Sequence, residues 1–217
     1  TQWSSSAASD VYKRQAVVRS AGGVFVADEV QSGFARTGSR MWGYQRHGVI
    51  PDIISLGKPM GNGYPVAGIA LRPELASRFG YDMRYFNTFG GNTVAMAAAN
   101  ATLEVVQSEN LMANANQVGA IMLSGLRDLM REDERIGDVR GTGLYLGVEM
   151  VKDRETREPN GPLALALVNE MRRRRVLISA TSYNANVLKV RPPLIFTAAN
   201  ADQFLTELKA ALKTVRT

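Results

Sequence analysis

The stretch Val24-Phe25-Val26-Ala27-Asp28-Glu29-Val30-Gln31 places a short apolar run directly before two acidic residues. The run follows a glycine pair and is rich in β-branched and aromatic residues, a pattern that predicts a buried β-strand. Ligands of open α/β sheets bind beyond the carboxyl ends of the strands. Asp28 lies at such an end, and its carboxylate is interpreted as a surface cap, an ion-pair partner or a catalytic group.

A second motif follows the next apolar run in the same way. Residues 53–56 predict one strand and residues 66–71 another, and between them lies Gly57-Lys58-Pro59-Met60-Gly61-Asn62-Gly63-Tyr64-Pro65. Glycines and prolines on both sides of one lysine are typical of a tight loop. Lys58 is either a solvated surface residue or, where the rigid loop partly desolvates it, a nucleophile suited to Schiff-base formation. The spacing of the glycines does not match a phosphate-binding P-loop.

The rest of the chain alternates helical and strand patterns. Apolar residues at helical spacing predict helices over residues 92–107 and 111–130. Beyond them, short strands surround one further helix, and a closing helix ends the chain. Strands that alternate with helices indicate an α/β fold. We therefore expect two domains, residues 16–134 and a small α+β domain of residues 135–217.

Residues 1–15 differ in composition from the rest. They contain a run of small residues with no apolar period. Such a segment is typical of a linker, a tag or a disordered leader, and the alternative is a frayed native terminus. We expect these residues to be a non-native or disordered leader outside the fold.

The composition excludes several classes of site. Cysteine is absent and His47 is the single histidine, so disulfides, thiolate nucleophiles, zinc–thiolate sites and Ser-His triads lack their usual residues. The sequence therefore predicts no metal. The absence of cysteine also fits a reducing cytoplasm, which is the predicted location. No apolar run approaches the roughly 20 residues that span a bilayer, so no membrane contact is expected.

The chain is basic, with 26 Lys and Arg residues against 20 Asp and Glu residues and a formal net charge of +6. Such a balance attracts anionic ligands or nucleic acid. The densest basic run, Arg172-Arg173-Arg174-Arg175, follows apolar residues at helical spacing and has no aromatic residues that would stack on bases. It is interpreted as the solvated end of an amphipathic helix, and no nucleic-acid partner is predicted.

Three blocks of the sequence resemble one enzyme family in order and spacing: Ala27-Asp28-Glu29-Val30-Gln31-Ser32-Gly33-Phe34-Ala35-Arg36-Thr37-Gly38, the lysine loop, and Phe86-Asn87-Thr88-Phe89-Gly90-Gly91-Asn92. That family is the class III, subgroup II aminotransferases, which depend on pyridoxal 5'-phosphate (PLP), and the resemblance covers about residues 17–217. It implies an α/β protein of PLP-dependent transferase fold type I, in which part of a large domain with a parallel-rich sheet precedes the small domain. It also implies a homodimer with sites shared between subunits, and small-molecule amine and keto-acid substrates.

The resemblance implies roles for five residues. Asp28 would pair with the ring nitrogen of the cofactor and keep it protonated, and Lys58 would carry the cofactor and move the α-proton of the substrate. Val30 would pack on one face of the ring, and Gln31 would hydrogen-bond its phenolic oxygen. Thr88 would donate to the cofactor phosphate in the site of the neighbouring subunit. From the residues alone, Val30 is equally a core residue. For Thr88, the alternative role is a helix N-terminal cap near Asn92.

Two departures from the family pattern bear on function. The family's phosphate-binding turn and the aromatic cover of the second ring face lie upstream of the aspartate, and residues 1–23 contain neither. The chain is therefore expected to be truncated, to bind PLP poorly and to be inactive alone. Many members have arginine at the position of Lys189, where it clamps the substrate carboxylate in a bidentate contact that lysine does not make. Arg191 lies two residues further on, and both are candidate substrate-binding residues.

The sequence resembles two branches of the family, the alanine–glyoxylate type 2 aminotransferases and the ethanolamine-phosphate phospho-lyases, and the second branch also carries lysine at the position of Lys189. We expect a PLP-dependent aminotransferase that transfers an amino group from a primary amine or amino acid to a keto acid. The alternatives are a PLP-dependent phospho-lyase that acts on ethanolamine phosphate or a similar phosphorylated amine, and a non-catalytic fragment.

Overall fold

The chain folds into two compact units, Thr1–Met112 and Ala113–Thr217. The computed structural model describes residues 5–216, with side chains from residue 11 onward. Each unit has its own sheet. No helix within residues 5–216 is long and apolar enough to cross a membrane.

The N-terminal unit combines helices, a small sheet and two 3₁₀ turns. Its described elements, in chain order, are α1 (Ser5–Ser20), β1 (Val26–Asp28), a 3₁₀ turn (Gly43–His47), β2 (Ile53–Leu56), the lysine turn (Lys58–Gly61), β3 (Gly68–Leu71), α2 (Pro73–Asp82) and α3 (Thr93–Ser108). The strands lie in the order β1-β2-β3. β1 and β2 are parallel, whereas β3 runs antiparallel to β2, so this sheet is mixed.

The strands of this unit lie close to their predicted positions. The strand expected over residues 53–56 is confirmed as β2, while β1 and β3 are shorter than their apolar runs. The expectation that they are buried is wrong for much of β1 and β3, because Val26 is 52% exposed, Ile69 is 66% exposed and Ala70 is exposed as well. Successive strand residues point to opposite faces, and Ala27 on the face opposite Val26 is buried.

Asp52 links helix α1 to the strands. Its carboxylate is almost fully buried and accepts hydrogen bonds from the guanidinium of Arg19 at 2.9 and 3.3 Å and from the backbone N–H of Phe25 at 2.9 Å. The Nε of Arg72 lies 2.9 Å from the same carboxylate. The hydrogen bond from Arg19 and then that from Phe25 hold the pKa of Asp52 below its ordinary value, although burial acts in the opposite direction.

The contacts of Asp52 predict a stability effect that depends on pH. Asp52→Asn removes the charge while it keeps the shape, and we expect the free energy of unfolding to fall by about 1–3 kcal/mol at neutral pH. Because the folded-state pKa is lowered, this stabilisation is present above the unfolded pKa of about 3.9 and is lost as the pH falls through the folded value. Urea unfolding at several acidic and neutral pH values measures both effects.

The matched control for this prediction is Asp82→Asn. Asp82 is half-exposed and contacts Arg78 at 3.4 Å on the surface of α2, so its replacement should change stability by less than about 1 kcal/mol. Equal losses in the two variants would contradict the role assigned to Asp52.

Helix α1 overlaps the segment expected to lie outside the fold. Residues 5–15 are helical, and the buried side-chain amide of Gln15 donates to the carbonyl oxygen of Ile50 at 2.8 Å. Gln15 therefore packs within the N-terminal unit. Residues 1–4 lie outside the described residues, and the wider expectation of a non-native or disordered leader over residues 1–15 stays a prediction.

The C-terminal unit is an antiparallel sheet covered by helices. Its described elements are α4 (Leu111–Glu132), which begins two residues before the unit, β4 (Ile136–Thr142), β5 (Tyr145–Asp153), β6 (Glu158–Pro159), α5 (Gly161–Arg173), β7 (Ser179–Thr181), β8 (Val187–Val190) and α6 (Ala198–Thr214). The main strands lie in the order β4-β5-β8-β7, and β6 pairs with β5. The α+β character predicted for this part of the chain is confirmed.

The core of the C-terminal unit joins helices α4, α5 and α6 to the sheet. Its fully buried side chains include Met122, Leu126, Val148, Leu163, Leu167, Leu188 and Leu208. Because α4 packs into this core, the compact units divide at residue 112. The domain boundary predicted at residue 134 stays a prediction.

The basic run at residues 172–175 is only partly solvated. The guanidinium of Arg174 is 26% exposed and contacts Glu170 at 2.9 Å and Glu207 at 3.2 Å. These contacts join the end of α5 to α6. The interpretation as a solvated helix end is therefore wrong for Arg174, because its carboxylate partners come from two helices that only the fold brings together.

Candidate active site

Asp28 is the last residue of β1, and its exposed carboxylate is held from two directions. Oδ1 accepts hydrogen bonds from the backbone N–H of Val30 at 3.1 Å and from the hydroxyl of Ser55 at 3.0 Å. Ser55 is the residue of β2 that pairs with Asp28. Oδ2 makes no hydrogen bond within residues 5–216, so one oxygen of an oriented carboxylate is available to a ligand.

The adjacent acid, Glu29, has a structural role that the sequence did not reveal. Its buried carboxylate accepts hydrogen bonds from the backbone N–H groups of Gly43 and Tyr44, both at 2.7 Å, and from the hydroxyl of Ser32 at 2.9 Å. A Cβ on Gly43 would lie 2.6 Å from the Cβ of Ser32, which only glycine avoids. Glu29 therefore fixes the 3₁₀ turn against the strand end, while Asp28 faces outward.

Lys58 begins the lysine turn directly after β2. Its φ of +33° lies in the left-handed region that residues other than glycine rarely adopt. The tight loop predicted from the glycines and prolines is present, with hydrogen bonds from Met60 N to Gly57 O at 3.0 Å and from Asn62 N to Pro59 O at 3.1 Å. The side chain of Lys58 is exposed rather than desolvated, and its ammonium has no hydrogen-bond or ion-pair partner within the described residues.

Parallel pairing brings the two motifs to one edge of the sheet. Asp28 and Ser55 are in register, and Lys58 follows Ser55 by three residues. Val30 lies between the motifs, because its methyl groups are 3.8 and 3.9 Å from the position that a Cβ on Gly57 would take. This contact supports the packing interpretation of Val30. Gln31 is exposed in the turn after β1.

Thr88 is exposed in the turn that precedes α3. The interpretation of Thr88 as a helix cap is wrong, because Asn92 is the N-cap and its side chain accepts from Ala95 N at 2.9 Å. The side chain of Asn87 stabilises the turn by accepting from Phe89 N and Gly90 N. α3 packs against the lysine turn, so Thr88 leads into the helix that borders Lys58.

The candidate substrate residues lie in the C-terminal unit. Lys189 lies in β8, and Arg191 comes directly after this strand. Because the two residues are two positions apart, their side chains project to the same face of the sheet. The guanidinium carbon of Arg191 lies 4.5 Å from the ring centroid of Tyr145. Burial lowers the pKa of Arg191. The sequence did not predict the contact between Tyr145 and Arg191, because the two residues lie far apart in the chain and no local pattern links them.

Both residues line a pocket of about 560 Å³ in the C-terminal unit. This C-terminal pocket lies between residues 175–179, residues 189–193 and the first part of α6. It includes a third basic residue, Arg175, and no acidic residue. The arrangement is suited to an anion.

Known proteins resemble the chain over most of its length. Residues 7–212 match the family model of class-III aminotransferases. Ethanolamine-phosphate phospho-lyase homolog 1 of Caenorhabditis elegans is 44% identical over 198 residues, which are 90% of this chain and 42% of that protein. Alanine–glyoxylate aminotransferase 2-like of Drosophila melanogaster is 46% identical over 200 residues, 91% of this chain and 40% of that protein. The chain thus spans about two fifths of the length of these curated relatives.

A solved structure agrees with these matches. A phospholyase from Arthrobacter, in complex with phosphoethanolamine, superposes with a TM-score of 0.92 and 42% sequence identity, and covers 95% of this chain and 49% of that chain. This likeness confirms the expected partial fold type I architecture. Because residues 7–212 match its family model, the chain belongs to the class-III aminotransferase family.

Proposed function

We propose that this chain is part of a PLP-dependent enzyme that transfers an amino group from a primary amine or amino acid to a keto acid. The observation that carries the proposal is the edge of the N-terminal sheet, where parallel strands place Asp28 and the lysine turn side by side. Class-III aminotransferases depend on PLP. The substrates would be small-molecule amines and keto acids.

The residues at this edge fit PLP. An oriented carboxylate with one oxygen open suits a protonated ring nitrogen, and a lysine without a protein partner suits the aldehyde of the cofactor. The methyl groups of Val30, beside Gly57, would form an apolar platform for one ring face. When bound, PLP supplies an aldehyde that condenses with amines and a ring that withdraws electrons from the substrate α-carbon.

Each side chain then has a task. Asp28 would hold the proton at the ring nitrogen, and the donors at Val30 N and Ser55 Oγ keep its carboxylate oriented. The side-chain amine of Lys58 would accept and return the proton at the substrate α-carbon. Glu29 would act indirectly, because its three hydrogen bonds fix the backbone that follows Asp28.

The roles of the other candidate residues also depend on the proposal that the enzyme uses PLP. Gln31 would bind the phenolic oxygen, and Thr88 would donate to the cofactor phosphate of a second subunit in a homodimer. Lys189 and Arg191 would bind the anionic group of the substrate, because both line the C-terminal pocket. The cytoplasmic location stays a prediction.

A second candidate function is a phospho-lyase that acts on ethanolamine phosphate or a similar phosphorylated amine. It is favoured by the basic pocket around Lys189, since a compact ammonium binds a phosphate as well as a carboxylate. The similar Arthrobacter structure is a phospholyase in complex with phosphoethanolamine. Both functions would use Asp28 and Lys58 in the same way.

One assay separates the two functions. The complete enzyme is given phosphoethanolamine and, separately, alanine with glyoxylate or pyruvate. We expect amino transfer that depends on the keto acid, without release of phosphate. The Lys58→Ala variant measures the background of each reaction. Release of inorganic phosphate and ammonia from phosphoethanolamine would overturn the aminotransferase proposal in favour of the phospho-lyase.

A further inference from the structure

The loop that follows Lys58 contains one of the two Asn-Gly pairs in the chain. The pairs are Asn62-Gly63, in this loop, and Asn160-Gly161, at the start of α5. An asparagine side chain is converted to a carboxylate most readily when glycine follows it, because glycine has no side chain to shield the backbone nitrogen that attacks the amide. The two pairs have the same residues but different surroundings, so the structure decides which of them reacts.

Asn62 and Gly63 are the central residues of a tight turn. Asn62 has φ +45° and ψ +45°, and Gly63 has φ +107°. Positive φ at both central residues is the pattern of a type I′ turn, for which Asn-Gly is a preferred sequence. A hydrogen bond from Tyr64 N to Gly61 O at 3.0 Å closes the turn. The conformation of the turn therefore explains why this sequence stands here, and the same sequence makes the turn chemically labile.

Deamidation of such a pair is a reaction of the chain with water. Hydroxide removes the proton from the backbone N–H of Gly63, and the nitrogen attacks the side-chain carbonyl carbon of Asn62. A bond forms between these two atoms, the bond from that carbon to the side-chain amide nitrogen breaks, and ammonia leaves with a proton taken from water. Water then opens the cyclic imide at either carbonyl, which gives aspartate or isoaspartate.

The reacting atoms of Asn62 and Gly63 are free of hydrogen bonds within residues 5–216. Both residues are exposed, and neither the side-chain amide of Asn62 nor the backbone N–H of Gly63 has a partner there. A Cβ built on Gly63 would meet no heavy atom within 4 Å beyond its chain neighbours. Ring closure requires rotation of the Asn62 backbone. Only the hydrogen bond from Tyr64 N spans this peptide, and a single bond in an exposed turn opens at low cost.

The second pair is held in place at the start of α5. Asn160 is the N-cap of this helix, and its side-chain oxygen accepts a hydrogen bond from Leu163 N at 3.0 Å. Its backbone N–H donates to Met150 O at 3.0 Å. Gly161 lies against the carbonyl oxygen of Asn184, where a Cβ would not fit. The Asn160 side chain can react only after it leaves Leu163 N, and the helix then loses its cap, which costs free energy.

We propose that Asn62 is a site of spontaneous deamidation and that Asn160, although followed by the same residue, is protected by its capping contact. Both products add a negative charge to the loop that carries Lys58. Aspartate adopts the left-handed conformation as asparagine does, so it keeps the turn. Isoaspartate adds a methylene group to the backbone and does not fit the turn. The proposal concerns the chemistry of the chain itself and does not depend on the proposed function.

The test follows both pairs in the 217-residue chain during incubation at mildly alkaline pH. Peptide mapping by mass spectrometry measures aspartate and isoaspartate at each position. The same chain in guanidinium chloride provides the reference rates, because both pairs are unfolded there. We expect folding to slow the reaction of Asn160 at least about fivefold more than that of Asn62. Equal slowing of the two pairs, or faster modification of Asn160 than of Asn62 in the folded chain, would overturn the proposal.

Two matched variants provide the control. Each deamidation lowers the formal net charge of +6 by one unit, so isoelectric focusing shows an acidic shift that grows with time. Asn62→Asp keeps a sequence that suits the turn and should remove most of this shift. Asn160→Asp can still cap α5 and should leave the shift nearly unchanged. The opposite pattern in the two variants would place the reactive site at Asn160. The measurements need neither PLP nor turnover, so their result is separate from the test of the proposed function.

Discussion

Replacing Lys58 by alanine should reduce the turnover of the complete enzyme by about 10⁴-fold. Lys58 is assigned two tasks, the attachment of the cofactor and the movement of the substrate α-proton, and alanine can do neither. The lysine lies at the end of β2 with no protein partner within the described residues, so no structural contact is lost with it. Turnover should therefore fall strongly, while thermal stability changes little.

Covalent labelling provides a readout that does not depend on activity. Borohydride reduction of the complete enzyme in the presence of PLP should attach the cofactor to a single peptide, the one that contains Lys58, and the label should disappear in Lys58→Ala. The control is Lys209→Ala, since Lys209 forms a surface ion pair with Glu132 at 2.6 Å, and it should keep both label and turnover. A label on any other lysine would show that Lys58 is misassigned.

Replacing Asp28 by asparagine should reduce turnover by about 10²–10³-fold. Asparagine can still accept from Val30 N and Ser55 Oγ through its amide oxygen, so the strand end should keep its geometry. It has no charge, however, and would not keep a ring nitrogen protonated. Turnover and the absorption spectrum of the bound cofactor are compared with those of the unmodified enzyme.

Replacing Ser55, which pairs with Asp28 across the two strands, tests the orientation of the Asp28 carboxylate separately from its charge. Ser55→Ala removes one hydrogen bond to Asp28 but leaves its charge, so we expect a loss of only about tenfold. If Asp28→Asn retained turnover within tenfold of the unmodified enzyme, or if Ser55→Ala were the more damaging change, Asp28 would not be the partner of the ring nitrogen.

Local patterns in the sequence predicted the elements that depend on near neighbours. β2 was located to the residue because a four-residue segment with three apolar residues lies between Pro51-Asp52 and Gly57, which limit it on both sides. α3 and α4 were located within two residues because their apolar spacing is long and regular. The turn at Lys58 followed from its glycines and prolines for the same reason.

The site was less completely predictable. The two acids at the end of β1 are adjacent in sequence, and no local signal shows that Glu29 is buried while Asp28 is exposed. That difference arises because Gly43 and Tyr44, distant along the chain, present their N–H groups to Glu29. The roles of Asp28, Lys58, Val30, Gln31, Thr88, Lys189 and Arg191 toward cofactor and substrate stay predictions.

The sequence by itself determined the family, the α/β character and the positions of the lysine and aspartate motifs, because these follow from residue types at short, fixed spacing. Only the tertiary structure decided the antiparallel direction of β3, the inward packing of Arg174 and the pairing of Ser179 with Lys189. Each of these joins residues through strand register or helix packing, whose energy depends on the whole core and is not encoded in any one segment.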